Sequence, residues 1–527
     1  MTPSLRELSK NTTIYGAGDI AVSLVNFLLW GVYVEYFDVV DYGTINLLLS
    51  MEVIAKILFR FGLDGAFLRF LYERDDQRGR QELTSTIVLF MLAVDGAALL
   101  VLLAASPALA GWVLGDRANA APLRLMLINT FAIGFTFVPF TMLQMERRAA
   151  TFSLMTLFRS VATIGARLAL VVGGGLGIRG LYLADLLVTL ATLVILSRWF
   201  VPLVRPMFSR ATLRETLRFG LPRLPHAAAQ QVLAVGDKFI LKLFVSLDNI
   251  GVYGVSVSFG LIQKLFLSAF QSAWAPFIFE TARGEDAPPV FRTVTTYGVA
   301  ILALLTAGLS AAGRDAVAAM THGRLLAPDD PRWAQVQIVI TWTAIGVFLQ
   351  GFYLLTSIGL NITKRTEFYP VATMAAAATN VGLNFVLIPR FGIVGAAWAN
   401  GAGYAVQAVL GYVFSQRLYP ISYDWPRIAR IVVAAVVACA VGRLMPAVRV
   451  TSDLRSTLAH APDVFIRGIT VLAVFTALTV FSGSVNLGEI RQGLRLRRPR
   501  RPAPPRLRPE SVEQAGEIGA ADLGERQ

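Results

Sequence analysis

The sequence has few of the residues on which disulfide scaffolds, metal sites and soluble enzymes depend. It contains one cysteine, Cys439, and three histidines that lie far apart among 527 residues. A disulfide framework needs paired cysteines, and a Cys-based metal site needs several of them, so both are excluded. No Walker A sequence occurs, and the Gly-x-Gly-x-x-Gly match at Gly175–Gly180 lacks a surrounding strand–helix–strand pattern. We therefore expect no metal, no cofactor and no ATP-hydrolysing engine.

Charged residues are also scarce, at 16% of the chain, whereas 55% of the residues are hydrophobic and the mean hydropathy is +0.59. A soluble protein of this size carries about a quarter charged residues. Apolar runs long enough to cross a bilayer recur along the chain. The sequence therefore predicts an all-α, polytopic membrane protein with about fourteen transmembrane helices. The predicted spans lie near 12–34, 42–63, 83–105, 123–145, 154–174, 178–200, 225–246, 250–274, 294–320, 334–359, 368–388, 392–416, 428–446 and 464–482.

Basic residues gather in alternate loops, which accounts for the formal net charge of +14 without a nucleic-acid partner. The connection 69–80 has four arginines, the segment 198–223 has six and the stretch 491–508 has eight, whereas 37–41 has no Lys or Arg. Lys and Arg mark cytoplasmic loops, so both termini are expected in the cytoplasm, with an uncleaved first helix. The tail 491–527 is predicted to be disordered, and either solvated or resting on anionic lipid headgroups.

A charged stripe runs along the second predicted span. Glu52, Lys56, Arg60 and Asp64 are spaced four residues apart, so they share one helix face and neighbours of opposite sign can pair. A charge at mid-bilayer costs about 2.5–3.5 kcal/mol on insertion scales, so the stripe must face protein or a wet cavity. Two interpretations remain open: a buried ion ladder that holds helices together, or the wall of a cavity that meets substrate.

The two halves of the chain contain similar short segments. The turn DVVDYG, which ends at Gly43, is similar to LDNIGVYG, which ends at Gly254, and this alignment sets the halves 211 residues apart. The offset is six spans, so the halves would share one orientation about a pseudo-twofold axis along the membrane normal. Lys56 and Lys264 would then point a cation from each half toward the interface. The predicted organisation is an N-terminal lobe at 1–203, a C-terminal lobe at 204–420, two further spans at 421–490 and the tail at 491–527.

Two polar pairs are predicted from equal depth on either side of a turn. Arg167 and Asp185 each lie nine residues from the centre of the turn between spans five and six, so they can pair. This pair either clasps the hairpin or places Arg167 in the cavity. Asn380 and Asn400 flank the turn at Pro389–Gly392, between spans eleven and twelve, and are expected to join their helices by amide hydrogen bonds.

Span seven carries three charges. Lys238 and Lys242 are one turn apart and repel each other. We expect a bound anion, or partial neutralisation by Asp237, to relieve this repulsion. Alternatively, Lys242 lies near the outer end and extends to the headgroups. Asp19 and Asp95 have no partner on their own helices, and each is either an ion-coupling carboxylate or paired with another helix.

Three local patterns resemble those of lipid-linked polysaccharide flippases in the multidrug/oligosaccharidyl-lipid/polysaccharide exporter superfamily. They are LSKNTTIYGAGDIAVSLVNFLL at 8–29, the outer turn Asp41-Tyr42-Gly43, and FGLDGAFLRF at 61–70. The resemblance implies two six-helix lobes around a central cavity that opens alternately to the two sides. It also implies transport of an undecaprenyl-diphosphate-linked sugar unit to the outer leaflet of the bacterial cytoplasmic membrane.

This resemblance assigns the intramembrane charges to a substrate cavity, where cations pair with the diphosphate and acids balance them or couple an ion. The cationic candidates are Lys56, Arg60, Arg167, Lys238, Lys242 and Lys264. The acidic candidates are Asp19, Glu52, Asp64, Asp95, Asp185 and Asp237, with Asp41 as the outer-turn acid. The implied partners are the lipid-linked oligosaccharide, membrane lipids and polysaccharide polymerase or export machinery.

Related lipid II flippases offer a further comparison. The stretch from Arg60 to Phe67 and the acid Asp41 are similar to theirs, but their Arg-Asp pair in span one is missing, with Trp30-Gly31 nearest. That departure argues against lipid II as substrate. Two other functions stay open: an ion-coupled drug/cation antiporter of the same superfamily, and a membrane polysaccharide polymerase or glycosyltransferase, which generally needs a larger outer loop.

Overall fold

The computed structural model is all-helical wherever it describes the chain. Most of the first predicted span, Asp19 and the predicted tail lie outside the described residues. Contacts divide the chain into two compact units, and the second, from Val480 onward, is described only to residue 486. The described residues are 32–74, 76–146, 148–282, 287–321, 324–327, 329–446 and 461–486.

Seventeen α-helices can be numbered in chain order over the described residues. Two of them continue into a wider π turn, α3 to Leu114 and α6 to Gly173. The helices are α1 Val39–Leu58, α2 Leu63–Glu73, α3 Gln77–Leu109, α4 Ala120–Gly134, α5 Phe137–Met145, α6 Ala149–Arg167, α7 Gly177–Phe200, α8 Arg210–Gly220, α9 Leu224–Phe244, α10 Leu247–Gly260, α11 Gln263–Thr281, α12 Ala287–Thr321, α13 Arg332–Thr356, α14 Ile358–Ile362, α15 Phe368–Leu418, α16 Trp425–Leu444 and α17 Ala461–Phe481.

The described helices make this a multi-pass membrane protein. Eight stretches are long and apolar enough to cross a bilayer, or nine if the bent pair α10 and α11 counts as one span. The 51-residue α15 is two helices joined at a kink, where Gly392 has φ 55° and ψ −132°, and it covers the predicted spans eleven and twelve. The count of fourteen spans stays a prediction.

The second predicted span is broken rather than continuous. Helix α1 ends at Leu58 and α2 begins at Leu63, with left-handed backbone at Phe61 and Gly62. The break brings Gly62 against Gly220, so closely that a Cβ on Gly62 would lie 2.7 Å from the Gly220 carbonyl oxygen. Glycine at both positions therefore permits backbone-to-backbone packing that any side chain would block.

Helices α1 and α10 pack in parallel and exchange equivalent contacts. A Cβ on Gly43 would clash with the carbonyl oxygen of Leu247, and a Cβ on Gly251 would clash with that of Val39. Val39 therefore contacts Gly251 in the same way as Leu247 contacts Gly43. A twofold axis produces such reciprocal contacts. The halves are offset by 208 residues, because 247 minus 39 and 251 minus 43 give the same difference. The offset of 211 from the sequence comparison was wrong.

Local details repeat at this offset of 208. Asp38 and Ser246 occupy the N-cap positions of α1 and α10. Ser50 donates to the Asn46 carbonyl at 2.8 Å, and Ser258 donates to the Gly254 carbonyl at 2.8 Å. Lys56 and Lys264 also differ by 208, so the predicted correspondence of the two lysines holds in a closer register than the sequence alignment gave.

The basic segment before α9 contains the amphipathic helix α8, which packs on α2 and α3. The Thr212 hydroxyl donates to the Glu82 carboxylate at 2.6 Å, and the Ser209 amide donates to Thr86 at 3.1 Å. Phe219 packs edge-on against Phe70 at 5.7 Å between ring centroids. The segment that follows the predicted boundary at 203/204 is thus bound to helices of the N-terminal half, and that boundary stays a prediction.

The last two helices are joined to α12 by a buried ion pair. Arg467 of α17 donates to the carboxylate of Asp315 in α12, and both side chains are buried. The same guanidinium donates to the carbonyl oxygens of Met445 and Pro446, at the end of α16. One arginine therefore connects α12, α16 and α17, and its counter-charge and acceptors offset the cost of burying it.

Candidate substrate cavity

The charged stripe on α1 and α2 forms the two pairs that its spacing predicts. Lys56 Nζ lies 2.6 Å from Glu52 Oε1 within α1. Arg60 Nη1 lies 3.6 Å from Asp64 Oδ2, a looser contact, because the break at Phe59–Gly62 separates them. All four charges are thus matched by a neighbour, and both cations keep about a third of their side-chain surface exposed.

The predicted pair between spans five and six is also present. Arg167 Nε and Nη2 each donate to Asp185 at 2.7 Å, which is a bidentate contact between α6 and α7. The predicted amide pair between Asn380 and Asn400 is not formed. Instead, Asn384 donates to Asn380 at 3.1 Å, and Asn400 donates to the Leu233 carbonyl at 3.1 Å. Equal depth fixed the height of Asn380 and Asn400 but not the directions in which they face.

Arg159 is a functional candidate that the sequence analysis missed. It lies on α6 two turns before Arg167, close enough to Asp185, Glu52 and Arg60 for their charges to act on it. Within the described residues it has no ion pair and no hydrogen bond, because Asp185 is engaged by Arg167 and Glu52 by Lys56. Its spacing of eight from Arg167, on a helix face with Thr156, Ser160 and Thr163, was the available signal.

Arg159 lines a cavity of about 600 Å³ that we name the α6 cavity. Its walls come from the segment before α1, the first half of α1, the first half of α5, one face of α6 and the start of α7. The lining residues are Tyr33, Phe37, Tyr42, Ile45, Leu49, Phe140, Phe152, Thr156, Arg159, Ser160, Thr163, Arg167 and Leu181. The cavity thus combines aromatic rings, hydroxyls, one paired arginine and one spare arginine.

In the second half, the three candidate lysines form no ion pair within the described residues. Lys264, at the start of α11, is exposed and has no ion-pair partner in the part of the chain that is described. The Asp237 carboxylate accepts a hydrogen bond from the Tyr253 hydroxyl and one from the Lys238 amide, the latter at 2.9 Å. Neither Lys238 nor Lys242 belongs to an ion pair of the described residues, and Lys242 Nζ lies beside Gly115.

The remaining acids occupy different settings. Asp41 closes a capping box with Asp38 at the start of α1, which gives it a structural role at the predicted outer turn. Asp95 is buried in α3, and both of its carboxylate oxygens lack a hydrogen-bond partner. Asp19 lies outside the described residues.

The ends of α1 and α10 that carry Val39 and Leu247 are in close contact, and one ion pair between the two halves lies at this end. Arg324 Nη2 lies 2.7 Å from Glu35 Oε2, joining the two halves of the chain. Nearby, Arg332 contacts Asp248 at 2.7 Å and Asp330 at 2.8 Å. The hydrogen bond from Arg332 lowers the pKa of the Asp330 carboxyl, so this group stays charged at neutral pH.

Solved structures share this fold. The chain is similar to the lipid II flippase MurJ in an inward closed conformation, with a TM-score of 0.63 and 12% identity over 87% of this chain and 98% of that one. It is also similar to an inward-facing multidrug resistance MATE family transporter of the MOP superfamily, with a TM-score of 0.60 and 17% identity over 78% of this chain and 95% of that one. The fold is therefore that of MurJ and the MATE transporters, as predicted.

A family model assigns the chain more closely. Residues 8–282 match the model described as polysaccharide biosynthesis protein, and the chain belongs to this family. A relative from Haloferax volcanii, the probable low-salt glycan biosynthesis flippase Agl15, is 22% identical over 431 residues, which are 81% of this chain and 86% of the relative. The family resemblance predicted from the three local patterns is thus confirmed.

Proposed function

We propose that this protein is an alternating-access flippase that moves an undecaprenyl-diphosphate-linked oligosaccharide from the cytoplasmic to the outer leaflet of a bacterial inner membrane. Its family and the flippase among its relatives support this function. The observation that carries the proposal is that two cations of the described spans have no ion-pair partner: the acids nearest Arg159 are already paired with other cations, and Lys264 has no acid within ion-pair distance. Such unpaired cations suit a substrate that brings its own negative charge.

Lys56, Arg60 and Lys264 are proposed to receive the diphosphate. Lys56 and Arg60 are matched by Glu52 and Asp64 in the empty protein and are about a third exposed, so they can exchange a carboxylate for a phosphate oxygen. Lys264 needs no such exchange. The prenyl chain stays in the bilayer, because its apolar surface gains nothing from entering a wet cavity.

The close contact between α1 and α10 supports access from the opposite end of the helices. Close packing at Gly43 and Gly251 and the Glu35–Arg324 pair seal the predicted outer end. Substrate then enters from the predicted cytoplasmic side, and release requires these contacts to part.

Reconstitution tests this function directly. The purified full chain in proteoliposomes should move a fluorescent undecaprenyl-diphosphate disaccharide between leaflets. Lys264→Gln and Arg60→Gln should slow that movement by about tenfold or more, as loss of a charged contact to phosphate predicts. Arg390→Gln is a matched control, because Arg390 is exposed at the kinked turn of α15. Unchanged rates in both cavity variants would refute the role of these cations, and no movement by the native chain would refute the function.

A drug/cation antiporter is the alternative function, because the chain shares its fold with a multidrug resistance MATE family transporter. Such a transporter needs an acid free to bind a cation, and Asp95 is the candidate among the described residues, since both its oxygens are unpartnered. Expression in a drug-sensitive host separates the two: resistance that Asp95→Asn removes would favour the antiporter. In a flippase, Asp95 and Asp19 are instead proposed to couple an ion, and Asp95→Asn should slow transport more than it weakens binding.

Accumulation of substrate identifies the cargo. Depletion of the protein should cause one lipid-linked oligosaccharide to accumulate on the inner leaflet, and mass spectrometry of extracted lipids would give its composition. The proposed protein partners are polysaccharide polymerase or export machinery, and crosslinking in the membrane would identify them.

A further inference from the structure

We propose that the α6 cavity is a subsite for an acidic sugar: it holds one monosaccharide ring of the transported oligosaccharide, with the carboxylate of that ring on Arg159. This inference rests on the proposed flippase function. It adds which part of the substrate is recognised and which side chain recognises it.

The acids around Arg159 are already neutralised by other cations. Asp185 is held by two hydrogen bonds from Arg167 at 2.7 Å, and Glu52 is held by Lys56 at 2.6 Å. Each nearby acid therefore has its own cation, and Arg159 is left over. A guanidinium in a largely apolar wall is stabilised when a ligand supplies a planar anion, which it binds with two parallel hydrogen bonds.

Aromatic rings from two parts of the chain line the walls of the α6 cavity. Phe140 and Phe152 pack edge to face at 5.1 Å between centroids on one side. A sugar ring presents apolar C–H faces, which suit the electron-rich faces of aromatic rings. Tyr33, Phe37 and Tyr42 add a second aromatic group, since their rings follow one another at 5.9 Å and 6.2 Å.

The α6 face supplies hydrogen-bond acceptors for sugar hydroxyls. Thr156 donates its hydroxyl hydrogen to the Phe152 carbonyl at 3.0 Å, and Ser160 donates to the Thr156 carbonyl at 3.0 Å. With their hydrogens committed to the helix, these oxygens retain lone pairs that can accept from a ligand. Thr163 continues the row one turn further on.

The α6 cavity shares helix α1 with the proposed diphosphate site. Ile45 and Leu49 of α1 line the cavity, and Lys56 lies seven to eleven residues further along the same helix. At 1.5 Å per residue, the α1 wall of the cavity lies about 10 to 16 Å from Lys56 along the helix. Arg159 is close enough to Glu52, the partner of Lys56, for their charges to interact, so it lies at the end of the cavity nearer the proposed diphosphate site. A volume of about 600 Å³ is ample for one ring within the usual range for small-molecule sites. The cavity lies toward the closed end, so the sugars would point away from the entrance.

Binding of two matched probes tests the proposal. The probes are undecaprenyl-diphosphate disaccharides that differ only in the terminal sugar, glucuronic acid in one and glucose in the other. The purified full chain should bind the glucuronyl probe about tenfold more tightly. Arg159→Gln should remove this preference while affinity for the glucosyl probe is unchanged, which also shows that the variant is folded. Arg159→Lys should keep part of the preference, and Arg390→Gln should keep all of it.

The other outcomes overturn the inference in distinguishable ways. Equal affinity of the native chain for both probes would remove the acidic-sugar subsite and leave the flippase function standing. Equal loss of both probes in Arg159→Gln would place the shared diphosphate on Arg159 instead. Failure of the native chain to bind either probe would count against the proposed function itself, and the subsite would fall with it.

Discussion

Arg324 and Glu35 form an ion pair at 2.7 Å between positions 289 residues apart in the sequence. Both side chains are partly exposed, so the pair itself is worth up to about 1 kcal/mol. Its position matters more than its strength, because it joins the two halves at the end where α1 and α10 already meet. It is therefore suited to bias the closing of this end without locking it.

Charge reversal at this pair should favour the open state. In a Cys439→Ala background, Ile45→Cys places a thiol in the α6 cavity behind the closed end. We expect Glu35→Arg to increase its reaction with a membrane-impermeant maleimide added from the predicted outer side by about three- to tenfold, because repulsion replaces attraction. The swapped pair Glu35→Arg with Arg324→Glu should restore the slow rate. A swap that stays as reactive as the single variant would show that the ion pair does not control access.

Close packing at Gly43 and Gly251 gives a second way to disturb the same contact. Alanine at either position would clash with a backbone carbonyl of the facing helix, and overpacking of this kind costs about 1–3 kcal/mol. Gly43→Ala and Gly251→Ala should therefore raise the labelling rate of Ile45→Cys. Gly382→Ala is the control, since nothing lies within 4 Å of its added methyl group. Slow labelling in all three variants would contradict a role for this packing in closure.

The buried pair between Arg467 and Asp315 should matter for stability. Asp315→Asn leaves a buried guanidinium without its counter-charge, which costs about 3–5 kcal/mol. Thermal unfolding of the purified protein in detergent should show a clear loss of stability. Glu367→Gln removes one partner of the exposed pair with Arg365 and should cost less than about 1 kcal/mol. Similar melting of both variants would mean that the carbonyls of Ala311, Met445 and Pro446 are sufficient to hold Arg467.

The stability costs of left-handed backbone and of close packing can be measured separately at two glycines. Gly62 has φ +69° and lies against the Gly220 backbone, whereas Gly177 has φ +54° and open space around it. Gly177→Ala should cost about 1–2 kcal/mol from backbone strain alone. Gly62→Ala should cost more, because α8 must also move away. Equal costs in thermal unfolding would show that the contact between α2 and α8 adds nothing to stability.

Helix geometry made part of the site predictable. Residues four apart on one helix, such as Glu52 and Lys56, must be neighbours, and a short turn sets the relative depth of Arg167 and Asp185. Arg159 was not predictable in this way, because its importance comes from what Asp185 and Glu52, on two other helices, already bind. Asn380 and Asn400 show the same limit, since depth does not specify rotation about the helix axis.

The fold class and the internal repeat were predictable from the sequence, but the residue offset between the two halves was not. Apolar runs located the helices, and the similar turns located the halves. The offset was three residues too long because matching letters, Tyr-Gly with Tyr-Gly, outweighed the geometry that pairs Gly43 with Gly251. The break after Leu58 was also missed, because the left-handed backbone at Phe61 and Gly62 lies against Gly220, which is distant in the sequence.

The breaks in the two equivalent helices fall on opposite sides of the matched lysines. Lys56 comes before the break that begins at Phe59, whereas Lys264 comes after the bend of 48° between α10 and α11. If each break acts as a hinge, Lys56 travels with the segment that seals the outer end, and Lys264 travels with the segment that faces inward. Two cations at equivalent positions of the two halves would then separate as the protein cycles, so that a phosphate bridging them in one state would lose one of its two ligands in the other.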